Sequence, residues 1–340
     1  MAELNTRAAL KTDFLKRTGW SDADIRPLAG DASNRTYERL RHTGGQPAVL
    51  MDAPPDKGED VGAFVGIARY LTGTGLSAPE ILEIDEQNGF LLIEDLGDDL
   101  YARCLAQNSS LNGPLYDAAV DVLTHLHRHD PPAGLSRYDA DRTVPLACLA
   151  YDWYVPGVIG SSDPEGREAF ARMADALLRP FDTDCQVLIQ RDYHAENLLW
   201  LPERQGVARV GLLDFQNAEL GHPVYDLVSV LQDARRDVGR QTEQAMKERF
   251  LAYNAFDRDE FERAYAVFGL QRNLRILGVF ARLCLRDGKA HYVDLIPRVW
   301  GHIQTCLRHP DLHDIANLLS ENLPAPDRAL LATLKSQVAA

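Results

Sequence analysis

Residues 190–197 read Gln-Arg-Asp-Tyr-His-Ala-Glu-Asn, and residues 212–216 read Leu-Leu-Asp-Phe-Gln. They carry a carboxylate at Asp192, a carboxamide five positions later at Asn197, and a second carboxylate at Asp214. All three offer oxygen. A hard cation such as Mg2+ takes one or two such groups from a protein and fills its shell with water and phosphate. A proton acceptor that must stay ionised beside that charge is better a carboxylate than a histidine. An Asp and an Asn at this spacing recur by chance, so context decides. Apolar runs at Val187-Leu188-Ile189, Asn197-Leu198-Leu199-Trp200 and Val210-Gly211-Leu212-Leu213 flank the motifs. They predict short paired strands whose loops would hold the polar groups together.

The elements that must position this set change character along the chain. A helix is expected over residues 6–18, with Leu10, Phe14 and Leu15 on one face and Gly19 as its stop. Strands are expected at Tyr37–Leu40, Ala48–Met51, Ile81–Ile84 and Phe90–Glu94, with a helix carrying Val61, Phe64, Val65, Ala68 and Leu71 among them. Asp95-Leu96-Gly97-Asp98-Asp99 reads as a hinge. Beyond it the pattern is mostly helical, at about 115–128, 166–179, 222–235, 241–252, 258–287 and 290–308. The expected fold class is therefore α+β, with a small β-rich lobe over 1–95 and a larger, mostly helical lobe over 96–340.

Composition narrows the partners. The formal charge of −14 argues against nucleic acid, which calls for a basic surface. Only six lysines occur, so phosphate would have to be met by arginine, backbone N–H groups and metal. Five scattered cysteines without a C-x-x-C pair suit a reducing compartment, and no apolar run approaches 18 residues. With no basic-then-apolar leader at the N-terminus, a cytoplasmic protein that does not span a membrane is expected. The segment Gly30–Tyr37 is poor in glycine beside G-x-G-x-x-G, and taken alone it reads equally as a phosphate loop or a plain turn.

The order Asp192–Asn197–Asp214 resembles that of protein kinases, which move the γ-phosphoryl of ATP. More closely it resembles the aminoglycoside phosphotransferase and choline kinase superfamily, which shares their two-lobe fold. Three further segments are similar to the bacterial cell-wall amino-sugar kinases: Gly30-Asp31-Ala32-Ser33 with Arg35 and Tyr37, Val49–Pro55, and Gln271–Gly278 running on to Arg282 and Lys289. The likeness covers about residues 10–305. It implies an ATP- and Mg2+-dependent kinase acting on the anomeric hydroxyl of N-acetylmuramate or N-acetylglucosamine, with nucleotide in the first lobe and acceptor in the second. Asp192 would be the catalytic base or orient the acceptor, and Asn197 and Asp214 would hold the metal. Ser33 and Asn34 would offer N–H groups and Arg35 a guanidinium to the phosphates, while Glu94 would stand at the adenine hinge. Arg191 would pair with a carboxylate, and Asp226 would accept hydrogen bonds from the catalytic loop; His194 can be read as a metal ligand or a second base, but a polar loop histidine satisfied by backbone is expected.

Three departures matter. Gln190 stands where a histidine is usual, and Met51 where the third strand normally carries the phosphate-pairing lysine; Arg35, or less plausibly Lys57, would supply that charge. In place of acidic residues before Asp152-Trp153-Tyr154 the chain has Ala147-Cys148-Leu149-Ala150-Tyr151. Trp153 and Tyr154 are candidates to stack on a sugar, and Arg275, Arg282 and Arg286 to meet a carboxylate. Only eleven residues separate Asp214 from Asp226, too few for a peptide-docking segment, so the acceptor should be a small molecule. An aminoglycoside or a choline-like alcohol remains an alternative acceptor, and Met51 keeps open a nucleotide-binding pseudokinase that transfers nothing.

Overall fold

The computed structural model describes residues 6–28, 34–184 and 186–337. The chain divides into two compact units, one of Met1–Gln107 with Glu196–Asn217, the other of Asn108–Ala195 with Ala218–Ala340. Each is described by itself.

In the first unit, β1 (Asp24–Pro27), β2 (Thr36–Arg41), β3 (Pro47–Asp52), β4 (Ile81–Asp85) and β5 (Phe90–Ile93) form an antiparallel sheet in the order β1-β2-β3-β5-β4. Alternation along β3 separates two faces, as a pleated strand requires. Ala48 and Leu50 join Leu40, Phe90 and Leu92 in a core with Phe14, Leu15 and Trp20. Phe14 and Leu15 come from α1 (Arg7–Arg17), whose Thr6 side chain accepts from the Ala9 N–H. Phe14 stacks on Phe90 with centroids 5.6 Å apart. Each such buried side chain contributes about 1.5–3 kcal/mol. Val49 turns the other way, toward a cavity it shares with Phe64 of α2 (Val61–Gly73).

The sequence set the lobe boundary at residue 95, whereas this unit runs on through α3 (Tyr101–Gln107) and takes in the hairpin β7 (Leu198–Trp200) and β8 (Val210–Leu212). Backbone hydrogen bonds explain the recruitment. Leu212 N–H donates to Ser77 O at 2.8 Å, and Trp200 N–H donates to Asp99 O at 2.7 Å.

The second unit carries the short pair β6 (Val187–Ile189) and β9 (Glu219–Gly221), with Val187 opposite Gly221. Around it lie α4 (Asn112–Leu126), α5 (Ala140–Ala147), α6 (Val155–Ile159), α7 (Pro164–Leu178), α8 (Val224–Leu231), α9 (Arg240–Tyr253), α10 (Arg258–Leu285), α11 (Ile296–Cys306), α12 (His313–Asn322) and α13 (Arg328–Ser336). α10 is the axis. Asp257 caps it by accepting from the N–H groups of Asp259 and Glu260, and it packs against α5, α8 and α11. The helix expected at 290–308 is instead a 3-10 stretch followed by α11, broken where Pro297 removes a backbone donor. The helix expected at 222–235 stops after Leu231, where Gln232 leaves the helical conformation.

A single π turn, Ala150–Tyr154, packs onto α10. Gly278 permits this: a Cβ there would lie 2.2 Å from the Leu149 carbonyl carbon and 2.3 Å from its oxygen. Both are backbone atoms and cannot swing away. Gly278→Ala should destabilise the protein by about 1–3 kcal/mol in urea unfolding. Gly66→Ala, on an exposed helical position with open space around it, should stabilise by about 0.5–1 kcal/mol.

Candidate active site

Asp226 organises the loop that carries Asp192. It is wholly buried, and its carboxylate accepts from Gln190 N–H at 2.6 Å and Arg191 N–H at 2.9 Å. Between those donors the chain turns through Arg191 at φ 70°, a left-handed conformation rare outside glycine. Ser229 Oγ donates to Arg191 O at 3.3 Å, and Tyr193 OH donates to Ala119 O at 2.9 Å. The Arg191 guanidinium lies 3.2 Å from Glu219 Oε2 and over the Tyr138 ring, the carboxylate partner expected for it. Burial pushes Asp226 up to about 7, against the pull of its two backbone donors.

Asp192 follows Arg191 and is half-buried. Burial works to raise its pKa, but Arg275 above all, with Arg272 and Arg191, holds the carboxyl below its ordinary value. It is an ionised carboxylate at neutral pH. His194 is buried, and that burial pushes it down to about 4. It is therefore a neutral imidazole behind the loop. Gln190, where a histidine was the usual residue, is likewise buried.

The other motif lies in the first unit. Asn197 Nδ2 is 3.5 Å from Asp214 Oδ2, Gln216 Nε2 donates to Asp214 Oδ1 at 2.5 Å, and Leu213 N–H donates to Asn197 O at 3.0 Å. Asp214 stands at φ 56°. Among the described residues, Arg191 and Asp214 are the only non-glycine residues with positive φ, and each lies in one of the two motifs the sequence singled out. Strain of this kind, about 1–3 kcal/mol per residue, persists where surrounding contacts over-determine the backbone. Asn197 and Asp214 line a cavity of about 430 Å³ whose walls include Val49, Ile93, Glu94 and Leu96.

Arg35 is nearly buried, with Nε 3.5 Å from Glu59 Oε2 and Nη2 3.8 Å from Asp214 Oδ1. It stands one residue before β2, whose Tyr37 lies opposite the buried Met51. Asn34 donates its N–H to Glu59 Oε1 at 3.1 Å and its amide to Lys57 O at 3.2 Å. Lys57 itself is exposed. Ser33 and the preceding turn residues from Gly30 lie outside the described residues. Glu94 lines the cavity, but its N–H donates to Glu80 O at 2.9 Å and its carboxylate pairs with Arg204.

Several participants gave no signal in the sequence. Arg39 binds Asp95 and Asp98, each at 2.7 Å, and so fixes the loop after β5 that forms one cavity wall. Glu59 and Glu219 are partners only because tertiary structure brings them close, whereas Gln216 reaches Asp214 from two residues along the chain. The two aromatics expected to stack on a sugar separate: Trp153 is half-buried, but Tyr154 is fully buried with its OH donating to Pro324 O at 2.8 Å, so it cannot stack. Arg286 also falls away, exposed and paired with Asp287 at 2.6 and 2.9 Å.

A carboxylate loop held by a buried Asp in one unit and a carboxamide–carboxylate pair on a hairpin of the other are the kinds of group that phosphoryl transfer uses. The sequence model of the phosphotransferase enzyme family matches residues 24–266. The chain belongs to that family. This phosphotransferase is 39% identical to the N-acetylmuramate/N-acetylglucosamine kinase of Caulobacter vibrioides, over 95% of this chain and 98% of that one. It is 32% identical to the protein of the same name from Pseudomonas aeruginosa, over 89% and 90% of the two chains. Among solved structures, choline kinase LicA from Streptococcus pneumoniae aligns with a TM-score of 0.61 at 12% identity, over 88% of this chain and 99% of that one. ADP-bound aminoglycoside phosphotransferase APH(2'')-Ib aligns with a TM-score of 0.59 at 15% identity, over 89% and 99%. At that identity these two report the fold: the phosphotransferase has the protein-kinase-like α+β architecture expected from its sequence. No described helix is long and apolar enough to cross a membrane.

Burial of the ring nitrogens of half-buried His127 pushes it to about 3, and burial pushes His194 and His222 to about 4 and 3, all below their ordinary value of 6.5. The unfolded chain therefore binds protons that the folded phosphotransferase refuses, and stability present above pH 6.5 is lost as pH falls toward 4. Asp226, raised to about 7, opposes with one group against three. Chemical denaturation at a series of pH values should show unfolding free energy declining across that window, and His222→Gln should flatten the decline.

Proposed function

We propose that this phosphotransferase is an ATP-dependent kinase of the anomeric hydroxyl of an N-acetylated amino sugar, N-acetylmuramate or N-acetylglucosamine. The observation that carries the reading is 39% identity over almost the whole chain to a kinase named for those two sugars. In this reading the first unit binds the nucleotide, and the second presents Asp192 to the acceptor. The cavity lined by Val49, Ile93 and Leu96 has apolar walls for an adenine, with Glu94 at its edge.

Asn197 and Asp214 suit Mg2+, a hard ion that accepts a carboxylate and a carboxamide oxygen. Among the described residues no cluster of three or more His, Cys, Asp or Glu gathers, so phosphate and water would complete the shell. When bound, the ion neutralises phosphate charge. Arg35 adds a guanidinium beside Asp214 in place of the lysine that Met51 replaces, and Asn34 and Ser33 precede it in the sequence as further phosphate-binding candidates.

The reaction needs little covalent help. The sugar hydroxyl oxygen forms a bond to the γ-phosphorus, the bond to the β-phosphate oxygen breaks, and ADP leaves. Asp192, held ionised by Arg275, orients the hydroxyl and takes its proton. An ATP donor supports a cytoplasmic location, because ATP is available there.

Coupled measurement of ADP release with N-acetylmuramate, N-acetylglucosamine, aminoglycosides and choline tests the acceptor. Turnover should appear with the amino sugars and fall by about 10²–10⁴-fold in Asp192→Asn, while calorimetry still detects nucleotide binding. Nucleotide binding without transfer to any acceptor would instead mark a regulatory module, the outcome to which Met51 points. Arg35→Ala should raise the KM for ATP and lower kcat, about 10–100-fold in kcat/KM, with partial recovery in Arg35→Lys. Unchanged constants would exclude Arg35 from phosphate binding.

A further inference from the structure

α10 carries arginines whose hydrogen-bond donors are incompletely met. Arg272 is 3% exposed, yet its Nε and Nη1 meet no hydrogen-bond acceptor among the described residues. Arg282 is half-buried with Nε in the same condition. Buried cations are ordinarily paired, because an unpaired one forfeits its hydration without return. Two neighbouring carboxylates are committed elsewhere, while buried Asp233 keeps an Oδ2 that accepts no hydrogen bond and Asp192 is the anion on which Arg275 and Arg272 act. Asp287 gives both oxygens to Arg286, Asp226 faces backbone donors, and Arg275 Nη1 meets only the neutral Tyr225 hydroxyl at 3.3 Å.

Arg275 and Arg282 are seven residues apart, two turns along one face and roughly 10 Å in rise. Arg275 is the cation that acts most strongly on Asp192, and Arg282 feels the repulsion of both Arg275 and Arg286. The row thus starts at the group that orients the acceptor hydroxyl and continues away from it.

We propose that Arg275 and Arg282, backed by Arg272, form a carboxylate subsite for the acceptor, so that the preferred substrate is an acidic amino sugar. This rests on the amino-sugar reading above and sharpens it. N-acetylmuramate carries its anomeric hydroxyl and its lactyl carboxylate on one ring. With the hydroxyl at Asp192, the carboxylate is carried along the arginine row. Two guanidinium forks match the planar, bidentate geometry of a carboxylate. N-acetylglucosamine lacks that group and leaves the row unpaired. A polycationic aminoglycoside meets like charge.

The test compares kcat/KM for N-acetylmuramate and N-acetylglucosamine in wild type, Arg282→Met and Arg282→Lys, with thermal unfolding as a check on folding. Wild type should favour the acid. In Arg282→Met the acid-to-neutral ratio should drop about 10–100-fold, the effect of losing hydrogen bonds to a charged group, and Arg282→Lys should recover part of it through a point charge without the fork. Equal loss on both sugars means a structural arginine, and an unchanged ratio means no subsite; either overturns the proposal. Calorimetry with N-acetylmuramate separates the two readings. Binding that weakens in Arg282→Met, without turnover on either sugar, would retain the subsite and reject the kinase assignment. No binding of N-acetylmuramate to wild type rejects the subsite.

Discussion

The buried carboxylate of Asp226 and the two N–H groups it accepts hold the centre of the second unit together. Without them the chain between Gln190 and Asp192 has no reason to adopt the left-handed turn at Arg191, and Asp192 has no fixed direction. The arrangement exchanges the hydration of one acid for the geometry of a loop. Charge-assisted hydrogen bonds to backbone N–H are about twice as strong as neutral ones, which is how a carboxylate can remain in a site that pushes its pKa to about 7. Arginines complete the balance. Arg191 is drawn aside to Glu219, while Arg275 and Arg272 keep Asp192 ionised.

A parallel economy governs the first unit. Asp214 also stands in a left-handed turn, and its two oxygens are already engaged by Asn197, Gln216 and Arg35. Glu59 takes the Asn34 N–H and one edge of Arg35. Carboxylates thus occupy the same donors that a phosphate would take. Among the described residues, the Asn34 N–H and Arg35 already face carboxylates, and a phosphate meeting them would exchange partners with Glu59. The cost of that exchange is the reason to expect affinity to depend on Arg35 more than on any exposed lysine.

Much of this was legible in the sequence because apolar triplets are hard to hide. Val187–Ile189, Leu198–Trp200 and Val210–Leu212 announce short strands, and the polar residues between them could only be loops. The sheet of the first unit followed from period-two alternation and glycine-bearing turns. What escaped depended on long-range contact or on atypical local geometry. α5 contains Pro145, which reads as a breaker, and β9 is three residues without a turn signal. Trp153 and Tyr154 look alike as neighbours in a sequence. A π turn, with its extra residue, decides that Tyr154 points into the core toward Pro324. Arg286 was indistinguishable from Arg282 by helical spacing until Asp287 was seen to occupy it. Glu59, Glu219 and Arg39 were invisible because their partners lie 24 or more positions away in the chain.

α10 has two sides with different freedoms. From Ala264 to Leu274 it is buried without a break, and Gly278 admits no side chain at all. Toward its C-terminal end a half-buried stripe runs through Arg275, Ile276, Val279, Arg282 and Leu283. Substitutions there leave the core filled, and at Arg275 they change the charge that acts on Asp192, whereas substitutions one position away threaten the fold. A lineage adapting this scaffold to a new acceptor would therefore diverge along that stripe first, and the repertoire open to it is set by how few positions on one helix can vary without cost to stability.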